Sequence, residues 1–498
     1  MSETSTEKDL QRLGPDTLLY GLSILLVRGM QIFLIPLYSH VLISSEYGIV
    51  ETIAIAGALV NLTVALEISQ GMARYISDAP DSKTRQAFAS TAVGFTFLSY
   101  AGFALIVTAF SVPLSEWLFG DQAYSQLLVL AVTAIAANGV FVVVQDMLRW
   151  QLRPGSYVIA SLGYALGSAS IGVWLVAIEK IGVSGVFWGQ LAGALIGSVI
   201  SLIRAGNLLG IIFDVPRLRQ MLRYSLPLVF SGIAVFGNMF IDRIVVRDQL
   251  GIHALGIYGV AARFASVVSI LAVGLQAALT PLVFRHWREP GTDVFLGRIC
   301  RMYCVAMIPL VGGISLFAPE ILAMLTGPEF HTGSKILPLL TLGAMFSTLY
   351  VFAPGLFLGE KTHFVAILNA MGASVNLVLA LFLTRWLGMI GAAAAASITH
   401  AIIFAGYVML GRRWFEVTYQ VRKVGFSLAF IVLLAIIGLL GQSLLTSLVI
   451  TTLIIKFIVL LLSMFIAYFL GLDSDDRTWL NQQISSFKNI LKTAEGKL

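Results

Sequence analysis

Seven side chains stand out because they carry charge or amide groups inside otherwise apolar stretches: Arg28, Gln31, Glu67, Asn238, Asp242, Arg243 and Arg263. A charge at the centre of a membrane-spanning helix is costly, so such residues are functional candidates by default. Guanidinium groups stay ionised when desolvated and grip phosphate oxygens through two parallel hydrogen bonds. Arg28, Arg243 and Arg263 could therefore form a cationic site for a phosphate or another anionic head group, with Gln31 and Asn238 as polar neighbours. Gln31 follows Arg28 at i+3, and Asn238 precedes Asp242 at i−4, so each pair shares a helix face. Asp242 and Glu67 are candidates for proton or sodium coupling. The competing reading is internal neutralisation, Asp242 with Arg28 or with Arg243, and a local interfacial salt bridge from Glu67 to Arg74. Lys456 is expected to snorkel along its stem or to face an internal cavity, and Asp146 and Arg149 to pair at a span end.

The elements that must position these groups follow from composition. Of 498 residues, 58% are apolar and 12% charged, with a mean hydropathy of +0.90. Soluble proteins carry about 25% charge, so soluble and disordered classes are excluded and a polytopic membrane protein remains. Spanning helices need roughly 20 apolar residues. Fourteen stretches qualify: 17–41, 47–70, 87–112, 123–145, 156–178, 182–204, 224–248, 254–284, 299–318, 335–358, 363–385, 389–411, 424–446 and 448–470. Pro309, Pro319, Pro338 and Pro354 are expected to kink or shorten the spans among them. Their length and lack of two-residue alternation favour helices over barrel strands.

Lysine and arginine alternate across these spans. Twenty-four of 32 fall on the N-terminal side, against Lys180, Arg247, Lys335 and Arg385 opposite. The positive-inside rule then places both termini in the cytoplasm. The N-terminus has no cleavable-signal pattern, and its first apolar run is expected to stay as an anchor. Amphipathic segments are expected at Pro216–Tyr224 and Asp475–Leu491, lying on an anionic leaflet. Cys300 and Cys304, at i and i+4, suit helix packing better than metal or redox chemistry. Gly189, Gly193 and Gly197, like Gly163 and Gly167, have the spacing of close helix contacts.

An internal repeat organises the chain. Glu46-Tyr47-Gly48 recurs as Gly256-Ile257-Tyr258-Gly259 at an offset of 211, which also carries Gln31 onto Asp242, Arg74 onto Arg285 and Asp78 onto Glu289. Residues 181–185 recur as 387–391 at an offset of 206. Units of six spans insert in the same sense, so the halves should be related by an axis along the membrane normal, with a central cavity. The expected fold is an all-α polytopic membrane protein with two pseudo-symmetric six-helix lobes and two extra C-terminal helices. The expected organisation is 1–16 N-terminal segment, 17–210 N-lobe, 211–223 amphipathic linker, 224–411 C-lobe, 412–470 helices 13 and 14, and 471–498 amphipathic tail.

The stretch Leu19-Tyr20-Gly21, Arg28, Pro36-Leu37-Tyr38 and Glu46-Tyr47-Gly48, the pattern Gly71 with Arg74-Tyr75, and the repeated halves resemble the polysaccharide-transporter branch of the multidrug/oligosaccharidyl-lipid/polysaccharide (MOP) flippase superfamily over spans 1–12. The resemblance implies a non-enzymatic flippase of the bacterial inner membrane. Its cargo would be an undecaprenyl-pyrophosphate-linked oligosaccharide, such as an O-antigen, exopolysaccharide or capsule repeat unit, moved by ion-coupled alternating access. Cationic residues of the first and of the seventh-to-eighth helices would match Arg28 and Arg263. Membrane lipids, a proton or sodium ion and other polysaccharide-assembly proteins would be partners. No cofactor and no nucleic acid is implied, and no Walker A loop is present. Two alternatives compete: a multidrug antiporter of the same superfamily, and a membrane polymerase or glycosyltransferase. The latter usually needs a large catalytic outer loop, and residues 319–334 hold only Glu320, Glu329 and His331 as candidates.

Overall fold

The structure is a computed structural model, and it describes residues 29–478 apart from 31, 152, 445–448 and 475. Among them the regular elements are helices without strands. In chain order they are α1 (Ile32–Val41), α2 (Ser44–Thr63), α3 (Ile68–Ser77), α4 (Ser82–Ala109), α5 (Ser111–Phe119), α6 (Ser125–Trp150), α7 (Pro154–Val173), α8 (Val183–Ala205) and α9 (Val215–Ala265). There follow α10 (Val267–His286), α11 (Thr292–Leu316), α12 (Ala318–Leu325), α13 (Leu337–Thr348), α14 (Gly355–Leu358), α15 (Thr362–Leu387), α16 (Met389–Gly411), α17 (Val421–Leu444) and α18 (Val449–Ile466).

By length and hydropathy 11 described helices can cross a membrane, or 12 if the bent pair α2–α3 counts as one span. The difference from fourteen has two sources. The first expected span lies mostly outside the described residues. The seventh and eighth fall largely within α9, a 51-residue run broken at Gly251, with α10 continuing the eighth. The prolines act as expected at 335–358, which is divided into α13, a short 3-10 turn and α14.

The chain separates into two compact units. One extends up to Arg263 and takes in Leu325–His331 and Ala373–Ala392; the other comprises Phe264–Met324, Thr332–Gly372 and the chain from Ala393 onward.

Lipid gives helices no hydrophobic reason to associate, so close contacts through small residues must hold them. In the first unit α7 and α8 do this: a Cβ on Gly189 would stand 2.6 Å from Gly172 Cα, and one on Gly193 2.6 Å from the Tyr164 carbonyl. Phe141 of α6 stacks on Tyr164 beside them, with centroids 4.9 Å apart. The α2–α3 pair is bent by 42°, at Leu66 (φ 50°) and Glu67 (φ 52°). A left-handed backbone is unfavourable for side chains of this kind, so packing on both sides of the break must impose it.

At the start of α9, Leu218, Met221 and Leu222 form the apolar side of 216–224, and that side packs on the core around Ile68, Met72 and Phe88. Met221 is fully buried, its carbonyl 2.8 Å from where a Gly71 Cβ would be. The segment runs directly into the rest of α9. The second expected amphipathic segment, Asp475–Leu491, lies almost entirely outside the described residues.

The 206-residue repeat is visible in backbone geometry. Gly182 (φ 64°) and Gly388 (φ 61°) both adopt the left-handed region open to glycine. The amides of Gly185 and Gly391 donate back to their carbonyls at 3.1 and 3.0 Å. Each copy turns the chain sharply into the following helix.

In the second unit, α11 supplies the core: Cys300, Cys304, Met307 and Ile308 are buried against Ile431 and Leu434 of α17 and Met345 of α13. Beyond α18, Asp476 accepts from Arg298 Nε at 2.6 Å and from Arg301, while Asp473 pairs with Arg301 at 3.2 Å and with Lys423. Lys456 does not snorkel. It is buried and donates to Glu320 of α12 at 2.6 Å, which neutralises both charges.

Candidate functional site

The site assembles on one face of α2 and two arms of α9. Ser44, Tyr47 and Glu51 recur at i, i+3 and i+7, so they form a stripe along α2. On α9, Gly251 takes φ 85° and ψ 176°, a conformation that only glycine adopts easily. The chain folds back there, and Arg243 before the break meets Arg263 after it. Gly48 and Gly256 let the second arm lie directly on α2. A Cβ on Gly48 would fall 2.0 Å from the Ile252 carbonyl oxygen, and one on Gly256 1.9 Å from that of Ser44. Both glycines belong to the stretches that the repeat singled out.

Both arginines converge on Glu51. Arg243 Nη1 is 3.0 Å from Glu51 Oε1, and Arg263 Nη2 is 2.9 Å from Oε2. Gly259 leaves room for the carboxylate, since a Cβ there would be 2.9 Å from Glu51 Cδ. Arg263 Nη1 also donates to the Tyr47 hydroxyl at 3.1 Å, with the guanidinium carbon 5.1 Å from the ring centroid. Arg243 lies 5.3 Å from the Phe240 ring centroid. Glu51 is 3% exposed at its side chain, against 22% for Arg243 and 34% for Arg263.

Two guanidiniums share one carboxylate here, on side chains that are part-exposed. Arg243 Nε is buried and has no acceptor, so the cluster has donor capacity beyond what Glu51 uses. Buried charge demands a partner, and an anion bearing several oxygens meets that demand better than one carboxylate can.

The sequence-derived candidates distribute unevenly. Arg243 and Arg263 are brought together. Arg28 and Gln31 lie outside the described residues, as does the match of Gln31 to Asp242. Asp242 pairs with neither arginine: it accepts from the Tyr258 hydroxyl at 2.6 Å, deep in the unit, and its Oδ1 has no hydrogen-bond partner. Asn238 is buried one turn earlier.

Glu67 is not part of this cluster. It sits at the α2–α3 break within electrostatic range of Asp146, and Arg74 pairs with Asp78 at 2.5 Å instead. Asp146 takes a hydrogen bond from Ser69, with Arg149 in electrostatic range.

Glu51 and Tyr47 escaped notice as chemistry. The signal was present: one of the two carboxylates inside the second expected span, four residues after a tyrosine that the repeat duplicates. Scanning for cations passed over the anion that organises them.

Comparison with known proteins agrees with this architecture. A family model described as polysaccharide biosynthesis protein matches residues 39–334, more than half of the chain. Among solved structures, a lipid II flippase MurJ in an inward closed conformation superposes with a TM-score of 0.67 at 16% identity, covering 91% of this chain and 98% of that one. An inward-facing multidrug resistance MATE family transporter of the MOP superfamily gives 0.65 at 16% identity, covering 79% and 97%. A MOP superfamily transporter from Pyrococcus furiosus, described by a reversed polarity of its binding pocket, gives 0.57 at 16%, covering 80% and 95%. A curated relative, an uncharacterized membrane protein of Methanocaldococcus jannaschii, is 23% identical over 190 residues, and the match spans 37% of each chain.

The class is thus a multi-pass membrane protein with the fold of these solved structures. Within it, the chain belongs to the polysaccharide biosynthesis protein family.

Proposed function

We propose that the protein flips an undecaprenyl-pyrophosphate-linked oligosaccharide across the bacterial inner membrane, with both termini cytoplasmic and without enzymatic chemistry on its cargo. The observation that carries this reading is the meeting of Arg243 and Arg263 on Glu51 within helices of spanning length. Moving a diphosphate through a low-dielectric interior without cationic partners is prohibitive. Here two forks offer charge-assisted hydrogen bonds, and Glu51 acts as the internal anion that holds them apart and oriented when the cargo is absent. Paired guanidinium groups suit an anionic cargo better than the cationic cargo of a multidrug antiporter. The family match and the lipid II flippase likeness support a lipid-linked sugar as cargo; the prenyl tail would remain in lipid.

Asp242 is the coupling residue in this reading. Its Oδ1 is free to meet a proton or a sodium ion, while Tyr258 fixes the other oxygen.

Reconstituting the protein with lipid-linked oligosaccharide and measuring translocation tests the proposal. Arg243→Ala and Arg263→Ala should each abolish most transport, and Arg263→Lys should restore only part, because an ammonium lacks the fork. Undiminished transport in both alanine variants would remove the arginines from the substrate path. Asp242→Asn should keep downhill movement but lose its dependence on an ion gradient.

A further inference from the structure

The segment Leu325–His331 belongs to the first unit, while the residues flanking it on both sides, Phe264–Met324 and Thr332–Gly372, belong to the second. It is fastened to the end of α1 and to the start of α2. The Gly327 amide donates to the Ser39 carbonyl at 3.2 Å, a contact so close that a Cβ on Gly327 would stand 2.5 Å from that oxygen. Glu329 Oε2 accepts from both the Ser44 amide at 2.8 Å and the Ser44 hydroxyl at 2.6 Å, so a remote carboxylate caps α2. Ser44 Oγ also lies 2.5 Å from His253 Nδ1. A serine hydroxyl has one proton, and it goes to the carboxylate; Nδ1 must therefore be the donor in that contact.

The next residue joins the strap to the arginine cluster. Phe330 is 1% exposed and packs edge-on against Tyr47, with centroids 5.7 Å apart at 73°. Tyr47 is the residue whose hydroxyl accepts from Arg263. Strap, tyrosine and arginine form one continuous chain of contacts along the α2 stripe.

We propose that Leu325–His331 is a latch over the Tyr47–Arg263 end of the site, locked by Glu329 on Ser44 and braced by the His253 donor on the same hydroxyl. The Glu329 carboxyl is held below the usual carboxylate range by the two Ser44 hydrogen bonds and, secondarily, by His253.

Hydrogen exchange of the full chain in lipid nanodiscs at one pH reads the latch without any transport substrate. The 325–331 peptide should exchange several-fold faster in Glu329→Gln than in the wild type. His253→Asn keeps a donor near the Nδ1 position, so it should retain protection. Unchanged protection in Glu329→Gln, or protection lost in His253→Asn, overturns the proposal.

A second arm rests on the flippase reading. Ser44→Cys with Glu329→Cys, in a Cys300→Ser/Cys304→Ser background, can be bridged by a short reducible bis-thiosulfonate linker. Translocation should stop when bridged and return on reduction. Continued transport in the bridged protein overturns the latch as a moving part. Loss of transport in every form, with the exchange results intact, counts against the flippase reading alone.

Discussion

Among the described residues each unit holds a cluster of basic side chains on a buried carboxylate, and the two differ in how fully their groups are satisfied. Around Glu51, two arginines on either side of the Gly251 fold meet one carboxylate two turns into α2. Around Asp476, Arg298 and Arg301 within α11 and Lys423 at the start of α17 meet two carboxylates just past α18. Asp476 has both oxygens engaged and its side chain is 1% exposed, with Arg301 at 5%. That cluster is a saturated clamp fastening the chain after α18 to α11. The Glu51 cluster is unsaturated, with part-exposed arginines and a spare buried donor on Arg243. Unused donor capacity, rather than the presence of arginine, distinguishes the Glu51 cluster from this clasp.

The contrast can be broken most severely at Asp476. Asp476→Ala should destabilise the protein by about 3–5 kcal/mol, the usual cost of stranding a buried cation. Thermal unfolding in detergent should show the loss, and transport per folded molecule should be unchanged. Glu51→Gln should cost less, about 1–3 kcal/mol, because its partners are part-exposed and glutamine still accepts one hydrogen bond. Here transport per folded molecule should change, and a purely thermal effect would make Glu51 a clasp as well.

A pH titration sharpens the second unit. Asp473 is held below the usual carboxylate range, first by its hydrogen bond from Lys423 and further by Arg301. A depressed carboxyl contributes stability that is present above its unfolded pKa of about 3.9 and lost as pH falls through the folded value. The melting temperature should therefore fall below about pH 4 more steeply in wild type than in Asp473→Asn. The smallest effect is expected at Arg74, whose pair with Asp78 is 52% and 59% exposed. Arg74→Ala should change stability by less than about 0.5 kcal/mol, as for other exposed i,i+4 pairs.

Much of this was legible beforehand in particular residues. The glycines at 182 and 388 marked a true repeat because a left-handed turn has one cheap occupant, and such a requirement shows directly as residue type. Arg243 and Arg263 were legible as charges in apolar surroundings. Their partner was not, because electroneutrality tells only that an anion must be near. It does not say whether Asp242, one residue away, or Glu51, nearly two hundred residues away, supplies it. Lys456 and Glu320 teach the same point, since a lysine that could snorkel and an acid assigned to a loop turned out to neutralise each other.

What the amino-acid order alone determined is whatever depends on local hydrophobicity and local backbone chemistry: membrane residence, helical spans, the repeat, and which charges are too expensive to be idle. Only the tertiary structure decided which charge answers which. Pairing depends on the fold-back at Gly251 and on the glycine contacts that bring α9 onto α2, and distances between remote segments leave no trace in residue spacing.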